Sequence, residues 1–136
     1  MNIKSGTITS IAQDDFFNMI TVDVDNGSLR IVDVKSPYAI AEGDKVNVKF
    51  QEISVSLSVC DKVGKVISVE NSIPATYSGC RKGEIFSEVR MHTACGELVS
   101  LVSTPVFEEM KLETGARVTA LLKGSDIKLE PVFDSI

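Results

Sequence analysis

Apolar and polar residues alternate along most of this chain, in short segments separated by turn residues. Residues 20–24 read Ile-Thr-Val-Asp-Val, residues 6–11 also alternate, and residues 29–34 read Leu-Arg-Ile-Val-Asp-Val, rich in apolar and β-branched residues. This alternation predicts strands that bury one face. The Asp-Asn-Gly-Ser sequence at 25–28 supplies the positive φ values of a tight turn, so the two strands are predicted to form a β-hairpin.

The same pattern predicts five short strands in each half of the chain. In the first half they cover residues 6–11, 20–24, 29–34, 45–50 and 54–59, with a short helical turn or loop at 36–41. In the second half they cover residues 76–78, 85–91, 97–103, 117–122 and 126–129. A short helix is predicted at 104–112, with Thr104 as its N-cap and Pro105 in its first position. Five strands with a helix before the fourth predict a Greek-key barrel of the OB type.

The two halves also repeat one another in sequence. Asn2, followed by Gly-Thr-Ile at 6–8, returns 69 positions later as Asn71, followed by Ala-Thr-Tyr at 75–77. A repeat of this length predicts two related modules, at 1–60 and 61–136. The predicted fold class is therefore all-β, with two tandem five-stranded OB-like Greek-key barrels, each with one short helix. Modules of this size are marginal alone, so we expect packing between the repeats or between chains.

Charge and composition exclude several classes of function. The net charge is −5, and the sequence has no basic cluster, which argues against binding along a nucleic-acid backbone. An oligonucleotide-binding role would need exposed aromatic residues beside basic ones, and Tyr77 near Arg81 and Lys82 is the one weak candidate. A small anion held by local hydrogen bonds stays possible, because net charge does not set the field inside a pocket.

Targeting and catalytic signals are missing from the sequence. The first residues have no apolar stretch of the secretory type, and no apolar run approaches the roughly 20 residues of a membrane span. Three cysteines without a C-x-x-C pair fit reduced thiols in a cytosolic protein. His92 is a lone histidine, which we expect at the surface or in a structural role. We find no nucleophile elbow and no phosphate loop, so we predict that the protein is not an enzyme and holds no metal or catalytic cofactor.

Four short motifs resemble those of the molybdate-binding Mop-like family, which belongs to the wider TOBE group. Residues 120–127 read Ala-Leu-Leu-Lys-Gly-Ser-Asp-Ile and are similar to the closing motif of that family. Residues 68–75, Ser-Val-Glu-Asn-Ser-Ile-Pro-Ala, look like its opening Ser-x-Arg-Asn-x-Leu-x-Gly. Leu-Val-Ser at 101–103 stands where the family has an apolar residue and Thr before the short helix. Residues 50–57 resemble a variant of the closing motif in the first repeat.

The resemblance implies a binding site for molybdate or tungstate. Its residues would be Ser68, on a segment from one module or chain, facing Ser103, Lys123, Gly124 and Ser125 from another. Lysine ammonium groups, hydroxyls and free backbone N–H groups are suitable donors to a tetrahedral dianion. Without the resemblance, Lys123 would be read as a solvated lysine and the serines as residues that satisfy local backbone groups. The resemblance implies a cytosolic protein that stores, buffers or senses the oxyanion. Because the members of the family are oligomeric and small barrels with edge strands favour association, we expect a homodimer or homotrimer.

Several residues depart from the family pattern and keep a second interpretation open. Glu70 stands where the opening motif often has Arg, and Val106 replaces a common Ser. In the first repeat Gln51 replaces the Lys, and Ile53 replaces the Thr. These departures favour a TOBE-type regulatory or protein-interaction module that has lost oxyanion binding.

Overall fold

The structure, a computed structural model, describes residues 1–34, 39–59 and 67–132. Within these ranges ten strands form two curled five-stranded sheets in which all the pairings are antiparallel, and there is one α-helix. The architecture confirms the predicted all-β, OB-like tandem. The short helical turn or loop expected at 36–41 has its first half, residues 36–38, outside the described ranges, and residues 39–41 are not helical.

The first half contributes five strands to the two sheets. In chain order they are β1 (Asn2–Gln13), β2 (Phe17–Val24), β3 (Gly27–Val34), β4 (Lys45–Phe50) and β5 (Ser56–Ser58). A 3-10 turn at Glu52–Ser54 precedes β5, which is therefore shorter than predicted. Strand β1 is longer than predicted, because one end of it pairs with β4 and the other with β2. This pairing extends the strand into polar residues, and the hydrophobic pattern of those residues alone does not predict a strand.

The second half repeats this order. Its strands are β6 (Asn71–Arg81), β7 (Phe86–Thr93), β8 (Gly96–Ser103), β9 (Arg117–Leu122) and β10 (Lys128–Pro131), with helix α1 (Thr104–Met110) after β8. A 3-10 turn at Gly124–Asp126 precedes β10 and moves that strand two residues beyond its predicted start. Even a shift of register is copied, between Ile8 and Ser10 in β1 and between Tyr77 and Gly79 in β6.

The two halves exchange their last strands. The first sheet has the order β10-β4-β1-β2-β3, and the second has the order β5-β9-β6-β7-β8. Strand β5 of the first half therefore pairs with β9, and β10 of the second half pairs with β4. Each sheet is completed by the other half. The boundary predicted between residues 60 and 61 adjoins the segment 60–66, outside the described residues, and stays a prediction.

One hydrophobic core runs through both halves. Strands β2 and β7 alternate buried and exposed positions, as their sequence pattern predicts. The largest fully buried side chains come from both halves: Ile8, Ile20, Leu29, Ile31 and Phe50, with Met91, Leu98 and Leu122. They belong to a single cluster, so the burial that stabilises one half depends on the presence of the other.

Two buried asparagines hold the halves together at the sheet edges. The Oδ1 atom of Asn71 accepts a hydrogen bond from the backbone N–H of Arg30 at 2.7 Å, and its Nδ2 donates to the Arg30 carbonyl at 2.9 Å. Nδ2 also lies 3.2 Å from the Leu122 carbonyl. Asn2 makes the same pair of hydrogen bonds with the backbone of Val99: its Nδ2 donates to the carbonyl and its Oδ1 accepts from the N–H, each at 2.9 Å. Arg30 and Val99 lie on the edge strands β3 and β8, so the asparagines satisfy backbone groups that a sheet edge leaves unpaired.

The hairpin turns of the two halves also meet. The backbone N–H of Asn26 donates to the carbonyl of Ala94 at 2.9 Å, and the buried Cys95 lies beside Gly27, where an added Cβ would be 2.7 Å from its Sγ. Burial, with the negative charge of Asp25, raises the pKa of the Cys95 thiol. Cys95 is therefore a protonated packing residue near neutral pH. Cys80 is a second free thiol, and Cys60 lies outside the described residues.

Helix α1 differs in one detail from its prediction. Ser103, and not Thr104, is the N-cap residue, and Thr104 is the first helical residue. The Thr104 hydroxyl donates to the Gly83 carbonyl at 2.7 Å and accepts from Ser87, so tertiary contacts have taken the group that would cap the helix. Pro105 lies in the first turn, as predicted.

Helix α1 covers Tyr77. The ring of Phe107 lies 6.3 Å from that of Tyr77, and burial with a hydrogen bond to Cys80 raises the pKa of Tyr77 to about 12. Tyr77 is 6% exposed. It is therefore not the exposed aromatic platform that the oligonucleotide-binding alternative requires. Among the described helical segments, none has the length and apolar character needed to cross a membrane.

The asparagine contact gives a stability prediction. Replacing Asn71 by Ala leaves the Arg30 backbone groups and the Leu122 carbonyl short of a partner in a buried setting, so we expect a loss of about 2–4 kcal/mol in the free energy of unfolding. Urea denaturation followed by circular dichroism measures it. Asn47→Ala is the control, because Asn47 accepts one 3.2 Å bond from Ser5 at the surface, and we expect it to cost less than about 1 kcal/mol. Equal losses in the two variants would contradict the role given to Asn71.

Candidate functional site

The residues 123–125 form a tight turn just before the exchanged strand β10. Lys123 has extended backbone angles, and the chain then enters the 3-10 turn Gly124–Asp126. The N–H groups of Asp126 and Ile127 bond back to the carbonyls of Lys123 and Gly124, at 3.1 and 3.3 Å. The turn interrupts the β ladder, as expected, so its first N–H group is available to another acceptor. Lys123 and Ser125 are exposed, whereas Gly124 is buried.

Gly124 is buried because the turn packs against edge strand β3 of the first half. A Cβ added to Gly124 would be 2.8 Å from the carbonyl oxygen of Arg30 and 3.0 Å from the backbone N of Val32. Both neighbours are backbone atoms, which cannot rotate away. A glycine is therefore required by close approach of two backbones, one from each half.

A carboxylate occupies the free N–H group of this turn. The backbone N–H of Gly124 donates to Oε1 of Glu70 at 2.7 Å, the short distance typical of a charge-assisted bond. Glu70 is the residue of the opening motif that stands in place of Arg, and its side chain contacts the proposed ligand residue Gly124. The next residue, Asn71, fixes the position of Glu70 through its bonds to Arg30.

A polar cleft lies where these segments meet. Its volume is about 320 Å³, and it is lined by Ser28, Arg30, Glu70, Asn71, Ser72 and Ile73. Ser28 and Arg30 come from β3 of the first half, and the other residues come from the start of the second half. The cleft thus lies between the halves and contains one cationic and one anionic side chain.

Arg30 was not among the residues that the sequence pointed to. It belongs to a predicted strand and follows the alternation of that strand, which marks it as exposed and nothing more. Its place beside Glu70 depends on the docking of β3 against residues 70–73. The one sequence signal for this docking was the asparagine that recurs at positions 2 and 71. In the structure both asparagines bond to an edge strand of the other half.

The structure separates the five predicted ligand residues into two groups. Lys123, Gly124 and Ser125 lie together, and Ser68 is an exposed residue just before Glu70, which contacts the same turn. Ser103 ends strand β8, and that strand packs against the other 3-10 turn, Glu52–Ser54. Ser103 therefore lies on the strand that faces the equivalent turn of the first half.

That equivalent turn carries different chemistry. Glu52 occupies the repeat position of Gly124, and its carboxylate lies beside the amino group of Met1, whose hydrogen bond lowers the pKa of Glu52. The nearby Ser100 hydroxyl donates to the Val55 carbonyl at 2.5 Å, which closes the contact between β8 and the turn. Gln51 and Ile53, which replace the family Lys and Thr, are both exposed.

A second pair of equivalent grooves lies elsewhere on the two sheets. One has a volume of about 530 Å³ and presents His92 and Arg117, on either side of Thr76. The other has a volume of about 660 Å³ and presents Asp23, Asp25 and Lys45. His92 is exposed, as expected for a surface residue. Within the described ranges no cluster of His, Cys, Asp and Glu side chains has a metal-binding arrangement.

Two curled five-stranded sheets with exchanged last strands, and a polar cleft between the halves, define the class as a tandem OB-like binding protein. The TOBE domain model matches residues 67–129. Molybdenum-pterin-binding protein 1 of Clostridium pasteurianum is 33% identical over 64 residues, which cover 46% of this chain and 94% of that protein. Molybdenum-pterin-binding protein 2 of the same organism is 31% identical over the same shares. The chain therefore belongs to the Mop-like/TOBE family.

A solved structure has the same overall fold. The cytoplasmic molybdate-binding protein ModG, in a crystal form with molybdate bound, superposes with a TM-score of 0.87. The match covers 95% of this chain and 94% of that one, at 22% identity. The likeness extends over both halves, and at this level of identity it establishes the shared fold alone.

The contact at Gly124 gives a second prediction. We expect Gly124→Ala to destabilise the protein by about 1–3 kcal/mol, because the new methyl group meets the backbone of Arg30 and Val32. The midpoint of urea unfolding measures the effect. Gly79→Ala is the matched control, since a Cβ there meets nothing within 4 Å. If Gly124→Ala unfolds at the same urea concentration as the wild type, the two backbones are not in close contact.

Proposed function

We propose that this protein binds molybdate or tungstate, without catalysis, at the interface between its two halves, where the turn 123–125 meets Glu70 at the edge of the polar cleft. Lys123, Gly124, Ser125 and Ser68 would supply the donors, with Ser103 a further ligand at the junction between β8 and the first 3-10 turn. The biological role would be storage, buffering or sensing of the oxyanion. The bound ligand is the cargo, and no catalytic cofactor is proposed.

The observation that carries this proposal is the hydrogen bond from the Gly124 N–H to a carboxylate oxygen. It marks the turn as a donor to anionic oxygen, and the acceptor, Glu70, also lines the polar cleft that contains Arg30. A micromolar affinity corresponds to about −8 kcal/mol. Charge-assisted hydrogen bonds contribute roughly 1.5–3 kcal/mol each, so about four to six donors are needed after association costs. The turn, its flanking Lys and the nearby hydroxyls approach that number.

The similar proteins support the proposed ligand and the proposed cellular location. Two similar proteins are described as molybdenum-pterin-binding, and the similarly folded ModG as cytoplasmic and molybdate-binding. We therefore propose a cytoplasmic protein with molybdate as its first candidate ligand. We also propose a homodimer or homotrimer, since small barrels with exposed edges and apolar side chains such as Phe16 and Ile85 favour association.

One observation favours a second function, a TOBE-type regulatory or interaction module that no longer binds an oxyanion. The Glu70 carboxylate already uses the Gly124 N–H, and Glu52 replaces the equivalent glycine in the first half. A module of this kind would keep the fold and contact another protein. The two functions differ in their response to molybdate.

Isothermal titration of the wild-type protein with molybdate, tungstate and sulfate distinguishes the two functions, and native mass spectrometry gives the number of sites per oligomer. Oxyanion binding predicts micromolar or tighter affinity for the first two ligands and exclusion of sulfate. A well-folded protein that gives no heat with any of them would support the interaction module.

Removal of the Lys123 ammonium tests the site directly. We expect Lys123→Ala to weaken molybdate binding at least about tenfold, since one charge-assisted hydrogen bond is lost. Lys128→Ala is the control, because Lys128 is an exposed lysine on the neighbouring strand β10 and should leave the affinity unchanged. Equal affinities for the Lys123 variant and the wild type would remove Lys123 from the site.

A further inference from the structure

The Glu70 carboxylate and an incoming oxyanion compete for one donor. Within the described residues, the N–H of Gly124 is the one backbone donor of this turn that bonds to a charged side chain. Its acceptor is Oε1 of Glu70, at 2.7 Å. A carboxylate presents two oxygens that share one negative charge, and it mimics part of a tetrahedral oxyanion at such a donor.

Glu70 is held at this donor by its neighbours. Asn71 is fixed by two bonds to the Arg30 backbone, and Gly124 is fixed by its contact with the same residue. Both partners of the Glu70–Gly124 hydrogen bond are therefore positioned by contacts with the backbone of Arg30 in strand β3. The side chain of Glu70 is half-buried and can rotate toward the open cleft of about 320 Å³ beside it.

The charges of the cleft make exchange feasible. Arg30 lines the cleft with Glu70, and within the described residues the Arg30 side chain has no ion-pair partner. When Glu70 leaves Gly124, the guanidinium of Arg30 is in the same cleft to accept it. An arriving dianion then finds the N–H of Gly124 unoccupied and the negative charge of Glu70 paired.

We propose that Glu70 is a built-in competitor: its carboxylate occupies the Gly124 N–H in the free protein and must be displaced when an oxyanion binds. This inference rests on the proposed oxyanion site, and it adds a residue of the chain itself that controls the affinity of that site. The competitor lowers the affinity for every incoming anion by the free energy of the Glu70–Gly124 bond, so it raises the ligand concentration at which the site fills.

The experiment compares Glu70→Ser and Glu70→Gln with the wild type in molybdate titrations. Serine has no charge, and its side chain is too short to reach the N–H of Gly124. We therefore expect the Glu70→Ser variant to bind molybdate about tenfold more tightly than the wild type, which corresponds to about 1.4 kcal/mol. Glutamine keeps a neutral acceptor at the same distance and should give an intermediate gain. Glu113→Ser is the control, because Glu113 is an exposed carboxylate of the second half outside the cleft, and it should not change the affinity.

A second readout follows the Gly124 amide itself by ¹⁵N NMR. Displacement predicts that its resonance moves on molybdate addition in the wild type, and that Glu70→Ser shifts it before any ligand is added. A well-folded Glu70→Ser variant with the wild-type affinity, or with weaker binding, would overturn the competitor while leaving the oxyanion site in place. Binding by the variant but not by the wild type would support it. No binding by either protein would overturn both the competitor and the proposed function.

Discussion

The hydrogen bonds from two buried asparagines to the edge strands of the opposite halves govern this structure. Asn71 pairs with Arg30 and Asn2 pairs with Val99, and each asparagine uses both its oxygen and its nitrogen. A buried backbone group without a partner is costly, so the halves can dock in one register only. That register brings Gly124 against β3 and opens the cleft beside Glu70. The geometry of the candidate site is thus a consequence of how the sheet edges are satisfied.

The exchange of β5 and β10 acts with these bonds. Each strand follows a 3-10 turn that packs on the far edge strand of the sheet that the strand itself joins: β10 and its turn flank the first sheet, and β5 and its turn flank the second. One short segment thus docks the halves and completes a sheet. In the second half the same segment carries Lys123, Gly124 and Ser125. The proposed binding residues are held by structure on both sides, which favours a preformed site with small backbone changes on ligand binding. In the displacement proposed above, the side chain of Glu70 is the element that moves.

Much of this fold could be predicted from the sequence, and the reasons for the rest are specific. Alternation and the Asn-Gly turn located β2 and β3, and the repeat implied the same order in the second half. Hydrophobic period reports which face of a strand is buried, but it carries no information about which sheet a strand joins, so the exchange of β5 and β10 was not foreseen. Thr104 was expected to cap the helix, yet Gly83 and Ser87 bind its hydroxyl. Lys123, Gly124 and Ser125 were proposed as ligands from the family resemblance, and they stay a prediction. Arg30 is placed beside Glu70 only by the docking of the two halves, which the sequence pattern does not report.

The exchange has a consequence for how such a protein arises. A single module with this topology lacks its fifth strand and must borrow one, and a second copy of itself provides it by two-fold symmetry. Joining two copies in one chain places the borrowed strand within the same molecule and frees the two copies to change independently. Here one junction has Gly124, and the other has Glu52 beside the amino group of Met1 at the equivalent position. The duplicated frame thus presents two chemically distinct junctions on a single scaffold.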